Sequence, residues 1–131
     1  MAISGNIKSI AKEYVKNEKT CVNTETLSTL EYMSPETLNY SVYYKESDIY
    51  SFGVLAYEVL VEKEFTKLNG YKLIIAIVND NYRPSLDALS KYPELILLIE
   101  NCWRNNWKIR PSFEQICGLL SEISLKYKFS K

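Results

Sequence analysis

Among its 131 residues the sequence holds three cysteines, Cys21, Cys102 and Cys117, and no histidine. Without imidazole there can be no Ser-His or Cys-His nucleophile pair, no His-ligated metal and no histidine general acid or base. The three thiols are odd in number and lack metal-ligand spacing, and Cys102 and Cys117 fall on apolar helical faces where a thiolate is disfavoured. They read as reduced, mostly buried side chains of a cytoplasmic protein. Any catalysis would fall to carboxylates, Lys, Ser, Thr or Tyr. A phosphate-covering Gly-x-Gly-x-x-Gly is absent, and the chain has four glycines in all.

Sixteen basic and sixteen acidic side chains cancel. A nucleic-acid surface would need clustered Lys and Arg to displace counterions from phosphate, so no nucleic-acid partner is expected. The length suits one domain. The opening "MAISGNIKSIAKEYVKN" has no long apolar run, which argues against a signal peptide or membrane anchor.

The elements that would position these residues are helices. Ile7, Ile10, Ala11, Tyr14 and Val15 recur at helical spacing with Lys8, Lys12 and Lys16 opposite. The polar "NEKTCVNTETLST" reads as a loop. "SPETL" opens a short helix, with Ser34 as N-cap and Pro35 at the first helical position. In "SDIYSFGVLAYEVL", Ser47 is a candidate cap and Asp48 complements the positive helix end. Beyond them Ile49, Phe52, Val54, Leu55, Ala56, Val59 and Leu60 wrap the axis, the mark of a helix in the middle of a protein. "YKLIIAIVNDN" could be a buried strand, but with no partner strand evident it is assigned as helix. "RPSLDALSKYP" is a loop punctuated by prolines. "PELILLIENCW" carries Leu95, Leu98, Ile99, Cys102 and Trp103 on one stripe, and "PSFEQICGLLSEI" carries Phe113, Ile116, Cys117, Leu120 and Ile123. Gly118 weakens the latter helix by about 1 kcal/mol relative to Ala, so a second helix is expected to cross there.

Three stretches, in this order and with these gaps, are specific: "STLEYMSPE", "SDIYSFGVLAYEVL" and "ENCWRNNWKIRPSF". Together they resemble the later half of a protein kinase C-terminal lobe over about Ser28 to Ile123. The first is similar to the end of the activation segment with its Ala-Pro-Glu-type motif, the second to the F helix, and the third to the H helix and the Arg-Pro opening the I helix. "SFG" and "CW…RPSF" resemble the tyrosine-kinase-like group. "NYRPSLDALS" with "IRPSF" is similar to the receptor-interacting kinases, and the ending "FSK" to the mixed lineage kinase domain-like pseudokinase. The resemblance implies a mainly α fold: helices EF, F, G, H and I of the C-lobe, without an N-lobe. It assigns residues 1–27 to an activation-segment remnant, 28–126 to the helical subdomain and 127–131 to a tail.

The same resemblance pairs Glu36 with Arg110 as a structural ion pair, a carboxylate and a planar guanidinium able to bond bidentately. It gives Asp48 an F-helix capping role, and places Ser28, Thr29 and Tyr32 along a substrate-groove remnant. Trp103 becomes a core residue, and Tyr57 stands where this group often has Trp. The metal-binding Asp-Phe-Gly could align only with Gly5-Asn6-Ile7, where the carboxylate is lost. Phosphoryl transfer needs a glycine-rich loop, a phosphate-binding Lys, a catalytic-loop Asp and metal carboxylates, and a chain without His has no His-Arg-Asp. No cofactor is therefore expected, with ATP and magnesium entering only through a missing lobe. The expectation is an inactive, pseudokinase-like interaction module, a decoy or scaffold towards kinases or pseudokinases of the receptor-interacting type. Its partner surface would be Leu68, Tyr71, Leu73 and Ile74, and an exposed F-helix face would allow self-association. The alternative is a fragment or one half of a Ser/Thr kinase whose ATP lobe lies upstream or on another chain.

Overall fold

The computed structural model describes residues 30–127, and every regular element among them is helical. A 3-10 turn at Leu30–Tyr32 leads into α1, Pro35–Tyr40, and then α2, Lys45–Val61. α3 spans Gly70–Val78, α4 Pro93–Cys102 and α5 Phe113–Tyr127, with further 3-10 turns at Asp87–Leu89 and Trp107–Ile109. This is the mainly α architecture that the sequence resemblance implies. The amino-terminal helix pattern, Cys21, Ser28, Thr29 and the Gly5-Asn6-Ile7 alignment lie outside the described residues.

α1 begins as its sequence dictates. Ser34 Oγ accepts from the Thr37 backbone N–H at 3.4 Å, and Pro35 occupies the first position, where its missing N–H costs nothing. The helix stops after six residues because Ser41 turns left-handed, φ 58°, and returns its N–H to the Thr37 carbonyl. α2 starts earlier than its sequence suggests. Tyr44 is the N-cap, and Ser47 lies three residues inside, its Oγ accepting from the Tyr44 N–H at 3.1 Å.

Ile49, Tyr50, Phe52, Val54, Ala56 and Tyr57 of α2 are all buried, so the axis is covered nearly all round over its first three turns. Burial of each large apolar side chain stabilises by about 1.5–3 kcal/mol. α4 covers one side so closely that a Cβ on Gly53 would stand 3.0 Å from Cys102 Cβ, which explains a glycine in mid-helix. Phe113 of α5 meets Phe52 edge-on, ring centroids 5.9 Å apart. Phe65 and Trp103 close on Tyr57 at 6.3 and 6.0 Å. The burial fails at the carboxyl end, where Val59 is 51% and Leu60 44% exposed.

"YKLIIAIV" is a helix, because Leu73, Ala76 and Ile77 face the core at helical and not alternating spacing. In α4, Leu95, Leu98, Ile99 and Cys102 form the buried stripe, and Trp103 continues it. α5 buries Ile116 and Ile123 and half-buries Phe113 and Leu120. Two expectations for α5 are corrected. Cys117 is exposed, not buried. Gly118 faces open space, with nothing within 4 Å of where a Cβ would stand, so no helix crosses there. α5 also continues through Tyr127, whose ring packs edge-on against Tyr92 at 5.0 Å, so residue 127 belongs to the helix and not to a tail. Among the described residues, no helix is long and apolar enough to cross a membrane.

Candidate functional site

Glu36 sits in the first turn of α1, and Arg110 in the extended residue just before Pro111. The two are 74 positions apart in sequence, yet they meet as a fork: Arg110 Nη1 donates to Glu36 Oε2 at 2.8 Å and Nη2 to Oε1 at 2.9 Å. Ser47 Oγ donates a further bond to Oε2 at 2.6 Å. The guanidinium also donates from Nη1 to the Glu46 carbonyl and from Nε to the Arg104 carbonyl, both at 2.9 Å. Its plane rests 5.3 Å from the ring centroid of the fully buried Tyr50.

Both side chains are buried. Burial by itself would raise the Glu36 carboxyl, but the bonds from Arg110 and Ser47, with the Arg110 charge, outweigh it and hold the group below its usual range. With both oxygens engaged, Glu36 cannot serve as a general base. Its chemistry is spent joining α1, the start of α2 and the approach to α5.

A second guanidinium reaches the same tyrosine. Arg83 lies 5.1 Å from the Tyr50 centroid and donates from Nε to the Trp103 carbonyl at 2.9 Å and from Nη1 to the Tyr82 carbonyl at 2.6 Å. Tyr50 thus carries two cations against its π faces, and burial pushes its phenol up to about 12 although both guanidinium charges pull the other way. Burial likewise pushes the Cys102 thiol up to about 12, partly offset by Arg110, so this cysteine is held as the unreactive thiol.

The remaining sequence-derived positions fall as follows. Asp48 does not occupy the cap position, which is Tyr44. It stands in the first turn of α2 and accepts from the Tyr43 hydroxyl. Tyr32 is half-buried, and its Oη donates to Glu58 Oε1 at 2.5 Å, binding the turn before α1 to the far end of α2. Leu73 is 2% exposed and therefore is core, not partner surface, because it points from α3 towards the body of the molecule. Leu68 and Tyr71 do face solvent, Tyr71 being 76% exposed, and Ile74 is half-buried. Sequence reasoning assigned no site role to Ser47, Tyr50 or Arg83. Ser47 read as a helix start, and nothing in the sequence places Tyr50 between two arginines.

An open cleft of about 540 Å³ lies beside the ion pair, lined in part by Asn39, Tyr40, Tyr44, Val78 and Trp107. Tyr44 and Trp107 stack there with centroids 4.1 Å apart. Among the described residues, no group of three or more His, Cys, Asp or Glu is placed to hold a metal ion.

Comparison with known proteins gives a consistent result. The family model described as protein tyrosine and serine/threonine kinase matches residues 8–120. A probable LIM domain-containing serine/threonine-protein kinase of Dictyostelium discoideum is 35% identical over 104 residues, 77% of this chain and 10% of that protein. The dual specificity protein kinase shkD of the same organism is 36% identical over 94 residues, 70% of this chain and 12% of that protein. The serine/threonine-protein kinase STY17 of Arabidopsis thaliana is 26% identical over 110 residues, 83% of this chain and 19% of that protein. The chain spans between about a tenth and a fifth of the length of these curated relatives.

Proposed function

The chain belongs to the protein tyrosine and serine/threonine kinase family, and from that premise we propose that its 131 residues act as a pseudokinase-like interaction module, a decoy or scaffold, with no phosphotransfer of their own. What carries this reading is a mismatch within the sequence. The Glu36–Arg110 clamp of the helical lobe is built, while the histidine of a His-Arg-Asp triplet and any Gly-x-Gly-x-x-Gly loop are lacking. Phosphoryl transfer works by positioning and charge stabilisation and cannot proceed without groups that hold the nucleotide and metal.

The partner is a kinase or pseudokinase of the receptor-interacting type within the tyrosine-kinase-like group, the affinity suggested by "NYRPSLDALS" and "IRPSF", and the setting is cytoplasmic signalling. The exposed Leu68 and Tyr71, with the half-buried Ile74, form the contact surface on and before α3, aromatic and aliphatic side chains of the kind that anchor protein interfaces. Val59 and Leu60 at the end of α2 offer a second apolar patch through which two copies associate.

Calorimetric titration of the purified chain with a purified receptor-interacting-type kinase domain tests the reading. Binding should weaken at least about tenfold in Tyr71→Asp, a loss of about 1.4 kcal/mol. Magnesium-ATP should leave the melting temperature unchanged. A nucleotide-dependent rise of several degrees, or failure to bind, would overturn it.

A second reading is favoured by one observation, the small share of each relative that the chain covers. On that reading these residues are the helical base of a Ser/Thr kinase whose ATP lobe is encoded upstream or supplied by another chain. Mixing with a separately expressed ATP lobe and recovering phosphotransfer would establish it.

A further inference from the structure

We infer that the open cleft beside the Glu36–Arg110 pair is a docking site for an arginine side chain of a partner protein. The cleft, about 540 Å³, lies where the end of α1, the entry to α2, the last residue of α3 and the Trp107–Ile109 turn come together. Three of these elements each contribute an aromatic side chain to its lining. Tyr40 ends α1, Tyr44 is the N-cap of α2, and Trp107 opens the turn. Tyr40 is 71% and Tyr44 36% exposed, so neither ring is spent on the core. Trp107 is half-buried and stacks on Tyr44.

The chemistry of this lining selects a cation. An aromatic face is electron-rich and attracts a positive group within about 6 Å of its centroid. The molecule already uses the stack in this way, because the Lys108 ammonium lies 5.7 Å from the Trp107 centroid. Lys108 is exposed, so a partner's cation can take its place. Val78 is the last residue of α3, and a helix carboxyl end adds partial negative charge from its terminal carbonyls. Glu36 also lines the cleft, but its charge is already matched by Arg110, so the attraction comes from rings and carbonyls. Arginine suits such a surface better than lysine. Its planar guanidinium lies flat on aromatic rings and is more weakly hydrated, and its N–H groups can donate to the amide oxygens of the exposed Asn39 and Asn105. Lys45 and Lys108, next in sequence to Tyr44 and Trp107, oppose a further cation and keep the affinity modest. This site is separate from the surface at Leu68, Tyr71 and Ile74, since it borders the far end of α3.

NMR titration of the 131-residue chain with N-acetyl-arginine methylamide tests the inference. The chain has two tryptophans, and the buried Trp103 serves as the internal control. The Trp107 indole N–H signal should shift and saturate while that of Trp103 stays in place. The citrulline analogue, alike in shape but neutral, should bind at least about threefold more weakly, the low end of what a cation–π contact supplies. Tyr40→Ala should weaken the arginine probe, and Lys108→Met should tighten it by removing the resident cation. An unmoved Trp107 signal, equal binding of the citrulline analogue, preference for the glutamate analogue, or weaker binding in Lys108→Met would each overturn the site. The comparison of probes on the wild-type chain decides the matter even if a variant folds poorly, and it leaves the Tyr71 surface untested and unaffected.

Discussion

Deleting the Arg110 guanidinium leaves the buried Glu36 carboxyl with only hydroxyl partners, Ser47 and Ser34. Breaking such a buried pair from one side costs about 3–5 kcal/mol, a large share of a small domain's stability. Arg110→Ala should therefore move the urea midpoint sharply downward, or prevent folding at 37 °C. Arg110→Lys keeps the charge but not the planar fork, so it should lose an intermediate amount. The pH dependence follows from two carboxyls with opposite signs. Glu36 is held below 4.5, so its contribution is present above the unfolded value and is lost as pH falls through the folded one. Glu31 is raised to about 7, so its contribution is complete below 4.5 and is lost as pH rises towards 7. The melting temperature of wild type should fall relative to that of Glu31→Gln as pH rises from 4.5 to 7, and the two should run parallel above that window. The ion pair was legible in the sequence because a motif fixes both members. Ser47 and Tyr50 were not: a Ser-Asp pair before an apolar run reads as a helix start, whereas α2 had already begun at Lys45.

The two glycines of α2 and α5 separate what a helix alone requires from what its neighbours require. A methyl on Gly53 would meet Cys102 Cβ at 3.0 Å and the Trp103 backbone N at 3.5 Å. Gly53→Ala should cost about 1–3 kcal/mol through overpacking against α4. Gly118 faces open space, so Gly118→Ala should stabilise by about 1 kcal/mol from helix propensity. Thermal unfolding of the two single variants should shift in opposite directions. Sequence alone pointed to close helix crossing at Gly118 and said nothing of Gly53, because a glycine does not reveal whether its empty side is filled. Periodicity succeeded where an element has one wet face, as in α4. It left α3 open between helix and strand, since "LIIAIV" is apolar at every position and only the placement of Leu73, Ala76 and Ile77 decides. On α5 it overreached by one side chain: Cys117 is next to the buried Ile116 but rotates out to solvent.

At the scale of the molecule, α2 is the axle, and its cover is uneven. Tyr50 and Val54 are completely enclosed, while Val59 and Leu60 are left to water. Replacing both with Gln should lower any concentration-dependent association seen by sedimentation and leave the unfolding free energy within about 0.5 kcal/mol of wild type, as surface changes usually do. The clamp between Glu36 and Arg110 also has a consequence in time. A ribosome adding about 5–20 residues per second needs roughly 4–15 s to travel the 74 positions from one partner to the other. Throughout that interval the Glu36 carboxylate lacks its guanidinium, and the α1–α2 corner is held by hydroxyls, those of Ser34, Thr37 and Ser47. The clamp therefore cannot close before position 110 is made, and translational pausing before codon 110 would prolong exposure of the half-built interior to chaperones.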